Sequence, residues 1–140
     1  MSKIKLAIVD DNTFLARAIK EKLEDFEDLD IKYMVYNGGE VLSKLEKNHN
    51  LDLVLMDIEM PVLDGIETVR IVKQKYPHIK LLMLTVFDND ENIFNAIQAG
   101  ADGYLLKEIE GQKLYNAITE TLGGGAAMSP SIAVKTLKLL

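Results

Sequence analysis

The sequence contains no cysteine and no tryptophan, and only three prolines among its 140 residues. Without cysteine, the chain has no disulfide scaffold, no thiolate zinc site and no cysteine nucleophile. The same absence fits a reducing compartment. Long apolar runs are also missing, because no stretch reaches the ~18 residues that a membrane span requires. The short basic and apolar stretch before Asp10 is too short for a signal peptide, so we expect a cytoplasmic protein with no membrane partner.

Basic residues are in deficit, with 16 Lys and Arg against 22 Asp and Glu and a net charge of −6. A protein that binds nucleic acid by itself usually has a basic excess, so this sequence argues against direct DNA or RNA binding. The remaining composition, 48% hydrophobic and 27% charged, is typical of a soluble globular domain. The one compositional break is a triple glycine at 123–125, which divides a domain at residues 1–123 from a tail at 124–140.

Short apolar runs alternate with segments of helical periodicity along residues 1–123. The runs predict five strands, at residues 4–9, 31–36, 51–56, 79–86 and 104–106. Strands that alternate with helices of this length predict a parallel sheet with right-handed crossovers. Because the central runs are continuously apolar, helices should cover both faces. The predicted fold is therefore an α/β, doubly wound, flavodoxin-like (βα)5 domain with strand order 2-1-3-4-5.

Polar side chains stand at the predicted carboxyl ends of these strands. Asp10 and Asp11 follow strand one, Asp57 follows strand three, Thr85 ends strand four and Lys107 follows strand five. In a sheet of this order, ligands bind at the carboxyl ends beside the point where the strand order reverses. That point lies between strands one and three, so we expect the carboxylates to meet there.

Clustered carboxylates repel one another and stay ionised only when a cation joins them. The donors are all oxygens, which suits a hard ion such as Mg²⁺ or Mn²⁺. Asp57 lies centrally and is the candidate nucleophile for an aspartyl phosphate. Each residue also has an ordinary interpretation, since Asp11 or Asn12 could cap a helix and Thr85 could be a strand residue.

Together these motifs resemble those of a bacterial response-regulator receiver domain, over about residues 3–123. The resemblance implies that Asp57 accepts a phosphoryl group from a sensor histidine kinase. It implies that Asp11, Asp57 and the backbone carbonyl of Glu59 hold Mg²⁺, with Asp10 helping through water. Thr85 and Lys107 would contact the phosphoryl oxygens. The motifs that carry the resemblance lie at residues 8–11, 55–61, 64–65, 84–85 and 100–107.

The resemblance also implies a conformational switch. Thr85 would move toward the phosphoryl group, and Tyr104 would turn inward to fill the vacated space. This repacks the face formed by helix 4, strand 5 and helix 5. The alternative is that Tyr104 is a static, half-buried strand residue.

The tail begins a further helix near Ser129 and Pro130, which suit the N-cap and the first helical position. This tail resembles the linker of the subgroup with a LuxR-type helix-turn-helix output domain. We expect a truncated transcription regulator that contacts DNA only through an output domain outside this sequence. The alternative is a stand-alone receiver whose tail packs back or pairs with a second copy of the chain, as in a homodimer.

The implied protein is a signalling switch rather than an enzyme, since it catalyses only its own phosphorylation and dephosphorylation. A degenerate receiver that is never phosphorylated would act as a protein-interaction module. A Mg²⁺-dependent phosphohydrolase of the haloacid-dehalogenase type would instead use Asp10, with a second acid where this chain has Asn12. A flavodoxin-like cofactor module would need a phosphate-cradling loop where Asp10 and Asp11 repel phosphate.

Overall fold

The computed structural model describes residues 3–139, which form a five-stranded sheet and six helices. The strands are β1 (Ile4–Val9), β2 (Leu29–Val35), β3 (Leu53–Met56), β4 (Lys80–Thr85) and β5 (Gly103–Leu106). The helices are α1 (Thr13–Leu23), α2 (Gly38–Lys47), α3 (Gly65–Lys75), α4 (Asp90–Ala99), α5 (Gly111–Leu122) and α6 (Pro130–Leu139). None of the helices in this range is long and apolar enough to cross a membrane.

All neighbouring strands are parallel, and their order is β2-β1-β3-β4-β5. The predicted doubly wound sheet is therefore confirmed, with small differences at strand ends. The last residues of β1 and β3, Val9 and Met56, are directly paired. This register places the residues that follow them, Asp10 and Asp57, side by side at the predicted reversal point.

Two apolar cores cover the two faces of the sheet, as predicted from the continuous apolar strands. Alternate residues of β1 serve different cores: Ala7 and Val9 face α2, α3 and α4, while Leu6 and Ile8 face α1 and α5. All four residues of β3 are buried. The rigid centre of the sheet therefore carries the site at its carboxyl end.

Asp11 and Asn12, two neighbouring polar residues after β1, have different roles. The side chain of Asn12 accepts a hydrogen bond from Leu15 N at 3.0 Å and caps α1. Asn12 thus has the ordinary capping role, which leaves Asp11, an exposed residue, free of that role. Asp64 caps α3 in the same way, accepting from Glu67 N at 2.9 Å.

Asp102, within the motif at residues 100–107, has a structural role. Its Oδ2 accepts hydrogen bonds from Leu81 N at 2.8 Å and from Lys73 Nζ at 3.1 Å. The carboxylate therefore ties the start of β4 and the helix α3 to the turn before β5. The preceding Gly100 ends α4 at a φ of 108°, a left-handed conformation that glycine adopts without strain.

The tail packs back onto the domain. Helix α6 begins at Pro130 as predicted and packs against α4, with Ile132 fully buried. Ser129 occupies the predicted N-cap position, since its carbonyl accepts a hydrogen bond from Ala133 N at 3.0 Å. Its Oγ, however, accepts a hydrogen bond from Leu106 N of β5 at 3.0 Å. The tail is therefore joined to the sheet as well as to α4.

Candidate functional site

The backbone of the central strands places two aspartates together. Asp57 N donates to Val9 O at 2.9 Å, and Asp10 N donates to Val35 O at 3.1 Å. Both side chains are buried, whereas Asp11 is exposed. One carboxylate oxygen from each of the three aspartates lies within 4.8 Å of the others. The predicted acidic cluster at the sheet reversal is therefore present.

Lys107 lies beside the aspartates, as predicted from its place after β5. Its Nζ lies 2.7 Å from Asp10 Oδ2 and 3.4 Å from Asp57 Oδ2, and its side chain is 9% exposed. The backbone of Lys107 is fixed from both sides. Its N–H donates to Thr85 O at 3.0 Å, and its carbonyl accepts from Lys22 Nζ at 3.2 Å.

The electrostatics of the cluster favour an additional cation. Burial raises the pKa of Asp57 above its usual value, the Lys107 ammonium opposes that rise, and the negative charge of Asp10 adds to it. Asp57 Oδ1 is buried and has no hydrogen-bond partner in the part of the chain that the structure describes. Because three carboxylates face one ammonium, the cluster has an excess of negative charge.

These donors fit a divalent metal. An oxygen-only set with a buried, unpartnered carboxylate oxygen matches the ligands that Mg²⁺ prefers. Mn²⁺ accepts the same donors. Glu59 lies exposed in the loop after β3, and its backbone carbonyl stays a predicted ligand.

Thr85 and Tyr104 contact the same loop between β4 and α4. Thr85 is fully buried, and its Oγ1 accepts a hydrogen bond from Phe87 N at 3.3 Å. Tyr104 is 1% exposed, and its hydroxyl donates to Phe87 O at 2.5 Å. Burial raises the pKa of Tyr104, so the hydroxyl remains a donor. The alternative of a half-buried Tyr104 is wrong, since the side chain is 1% exposed. The switch of Thr85 and Tyr104 on phosphorylation stays a prediction.

Two supports of the site have roles that the sequence analysis did not state. A Cβ on Gly65 would lie 1.8 Å from Asp57 O, so only glycine lets α3 start this close to the acceptor. The sequence signal was the Asp-Gly pair at 64–65. Lys22 holds the loop after β5 through the carbonyls of Lys107 and Ile109, at 3.2 and 3.0 Å. No local pattern identifies this lysine, since its partners lie more than 80 residues away.

Comparison with known proteins gives one family match and several relatives. The family model described as the response regulator receiver domain matches residues 6–119. The transcriptional regulatory protein DegU of Brevibacillus brevis is 31% identical over 98% of this chain and 58% of its own length. The response regulator protein VraR of Staphylococcus aureus is 34% identical over 94% of this chain and 63% of its own length. The chain thus spans about three fifths of these relatives.

Solved structures agree in fold. A two-component response regulator of the LuxR family from Aurantimonas has a TM-score of 0.89 at 27% identity, over 99% of this chain and 98% of its own. A CheY-like receiver domain protein from Methanospirillum hungatei has a TM-score of 0.79 at 32% identity, over 88% and 96% of the two chains. The flavodoxin-like architecture is shared with both.

Proposed function

Because the chain belongs to the response regulator receiver domain family, we propose that it accepts a phosphoryl group on Asp57 from a sensor histidine kinase. The observation that carries this proposal is the environment of Asp57. Its carboxylate is buried between Asp10 and Lys107 at the carboxyl end of the central strand, and one of its oxygens has no hydrogen-bond partner among residues 3–139. A nucleophile held in this way needs only a metal and a phosphodonor.

The transfer makes one bond and breaks one. A carboxylate oxygen of Asp57 attacks the phosphorus of a phosphohistidine, the P–N bond breaks as the P–O bond forms, and the released imidazole takes a proton from water. Mg²⁺ held by Asp11, Asp57 and the carbonyl of Glu59, with Asp10 acting through water, would neutralise charge on the phosphoryl oxygens.

Two residues of the chain would serve the transferred group directly. The Lys107 ammonium already lies 3.4 Å from the Asp57 carboxylate, so a short movement brings it to a phosphoryl oxygen. The hydroxyl of Thr85 has a free proton to donate, because the hydrogen bond from Phe87 N uses only its oxygen as acceptor. Both donors would stabilise the negative charge on the oxygens of the phosphoryl group once it is bound to Asp57.

The consequence that we propose is control of transcription in the cytoplasm. The relatives DegU and VraR are described as a transcriptional regulatory protein and a response regulator. Phosphorylation would alter the face formed by α4, β5 and α5, and DNA would be contacted through an output domain outside this sequence. The chain would act as a signalling switch and turn over only its own aspartyl phosphate.

Intact mass after incubation with acetyl phosphate tests the proposal. We expect one added phosphoryl group in the presence of Mg²⁺ and none in the presence of a chelator, because the acidic cluster needs a cation. Reduction with borohydride converts an aspartyl phosphate to homoserine, and peptide mapping should place that homoserine at position 57. Reduction at Asp10 would instead support the phosphohydrolase alternative.

The absence of added mass with both acetyl phosphate and a phosphorylated kinase would contradict the proposal. That result would favour a degenerate receiver that acts as an interaction module. Both phosphodonors are needed because Val86, an exposed residue directly after Thr85, is expected to narrow access to Asp57. A narrowed entrance would slow acetyl phosphate but would still allow transfer from a docked kinase.

A further inference from the structure

The tail supplies the outer hydrogen-bond partners of β5. Tyr104 N donates to Ala127 O at 2.9 Å, and Ser129 N donates to Tyr104 O at 3.1 Å. Leu106 N donates to Ser129 Oγ at 3.0 Å. Both backbone groups of Tyr104 that point away from β4 are therefore held by the tail.

Side chains of the tail also pack in the core that contains the Tyr104 ring. Ile132 is fully buried in the same apolar cluster as Tyr104, Ile93 and Ala96, and Met128 packs against that cluster. Undocking the tail would expose this apolar surface to water, which is unfavourable. The docked tail therefore stabilises the inward position of Tyr104.

Tyr104 of β5 and Lys135 of the tail bind two consecutive backbone carbonyls of the loop after β4. Tyr104 donates its hydroxyl proton to Phe87 O at 2.5 Å, and Lys135 Nζ of the tail donates to Asp88 O at 2.7 Å. Phe87 N in turn donates to Thr85 Oγ1. A continuous set of contacts thus joins the tail to the hydroxyl of Thr85, the residue that ends β4.

We propose that residues 127–139 of the tail position Thr85 for phosphoryl binding, because they fix Tyr104 and the loop at Phe87 and Asp88. A donor that is already held in place loses less freedom when it binds an anion. Tail docking and phosphorylation of Asp57 therefore favour each other, and the coupling is reciprocal. This inference rests on the proposed function, because Thr85 has this role only if Asp57 is phosphorylated.

The first test uses the absence of cysteine in the chain. In Ile132→Cys the single thiol is buried when the tail is docked, and its reaction with a thiol reagent reports undocking. We expect phosphorylation with acetyl phosphate and Mg²⁺ to slow this labelling by roughly fivefold, at the lower end of measured couplings between sites. The intact mass of the same sample gives the phosphorylated fraction.

The second test asks whether the tail acts on phosphorylation in return. Lys135→Met removes the contact with Asp88 O, and Lys138→Met makes the same charge change on an exposed position of the same helix. At a limiting concentration of acetyl phosphate, we expect Lys135→Met to reach a phosphorylated fraction several-fold lower than the parent. Lys138→Met should behave as the parent does.

The outcomes separate the two proposals. If Asp57 is phosphorylated normally but labelling is unchanged, or if the two lysine variants behave alike, the tail does not position Thr85 and the proposed function stands. Faster labelling after phosphorylation would also overturn the inference, because it would mean that phosphorylation releases the tail. Failure of the parent to be phosphorylated at all would overturn the proposed function and the inference with it.

Discussion

Asp57→Asn is expected to abolish phosphoryl uptake and, in the metal-free protein, to increase the free energy of unfolding at neutral pH. The amide has nearly the shape of the carboxylate but is not a nucleophile toward phosphorus. It also removes a buried negative charge that lies beside Asp10 and has one unpartnered oxygen. Removing the desolvation penalty of such a buried charge is expected to raise the free energy of unfolding by ~1–3 kcal/mol.

The pH dependence of this effect follows from the direction of the pKa shift. The pKa of Asp57 is higher in the folded state than in the unfolded state, so the acid form favours folding. That contribution is fully present below the unfolded pKa of about 3.9 and is lost as the pH rises through the folded pKa. The advantage of Asp57→Asn should therefore be present at pH 7 and absent below about pH 4.

Urea unfolding with chelator at both pH values measures the stability, and intact mass measures the phosphorylation. Asp64→Asn is the matched control, because Asp64 is exposed and asparagine also caps a helix. The control should be phosphorylated normally and should unfold within ~0.5 kcal/mol of the parent. An Asp57→Asn protein that is less stable at pH 7 than the parent would show that Lys107 fully compensates the buried charge.

Gly65→Ala is expected to destabilise the fold by about 3 kcal/mol or more, the upper end for overpacked cores. The added methyl carbon would lie 1.8 Å from the backbone oxygen of Asp57 and 2.8 Å from the backbone carbon of the same residue. Neither atom belongs to a flexible side chain, so the start of α3 must move away from β3. The hydrogen bond from Gly65 N to Ile58 O at 2.7 Å would be stretched as well.

Thermal or urea unfolding of Gly65→Ala measures this loss, with Gly123→Ala as the control. Gly123 ends α5 at a φ of −80°, and a methyl carbon there would meet its neighbours at 3.5 Å, an ordinary contact. The control should change stability by no more than ~1 kcal/mol. Equal stability of the two variants would mean that the contact between α3 and β3 adapts without cost.

Much of this architecture could be predicted because its determinants are local. The apolar runs and helical periods set the element order, and parallel crossovers limit the strand order to few choices. The carboxyl ends of the strands then collect the predicted aspartates, Thr85 and Lys107 near one another. The ends of strands were less exact, since β2 starts at Leu29 rather than at 31. Strand β3 starts at Leu53 rather than at 51, and the preceding Asp52 accepts a hydrogen bond from Lys5 N of β1, a tertiary contact that no local pattern indicates.

The features that sequence did not predict depend on contacts between distant segments. Tyr104 is buried in an apolar cluster that includes Ile132 of the tail, and Lys22 of α1 binds a loop more than 80 residues away. Ser129 stands at the predicted N-cap position, but its side chain accepts its hydrogen bond from Leu106 N of the neighbouring strand. In each case a local preference was overridden by packing, which a single sequence does not display.

The pairing of the tail with β5 also bears on the solubility of the protein. A parallel sheet has two outer strands, and an unpaired outer strand can recruit the same strand of another molecule. On one side, β2 carries the Asp30–Lys32 ion pair, and its register with β1 shifts at Lys32, which lies between the partners of Leu6 and Ala7. Charge and an irregular register both discourage such recruitment. On the other side, residues 127–129 occupy the hydrogen-bonding groups of apolar β5. The chain thus protects one border of its sheet with charge and the other with its own backbone, which guards against aggregation.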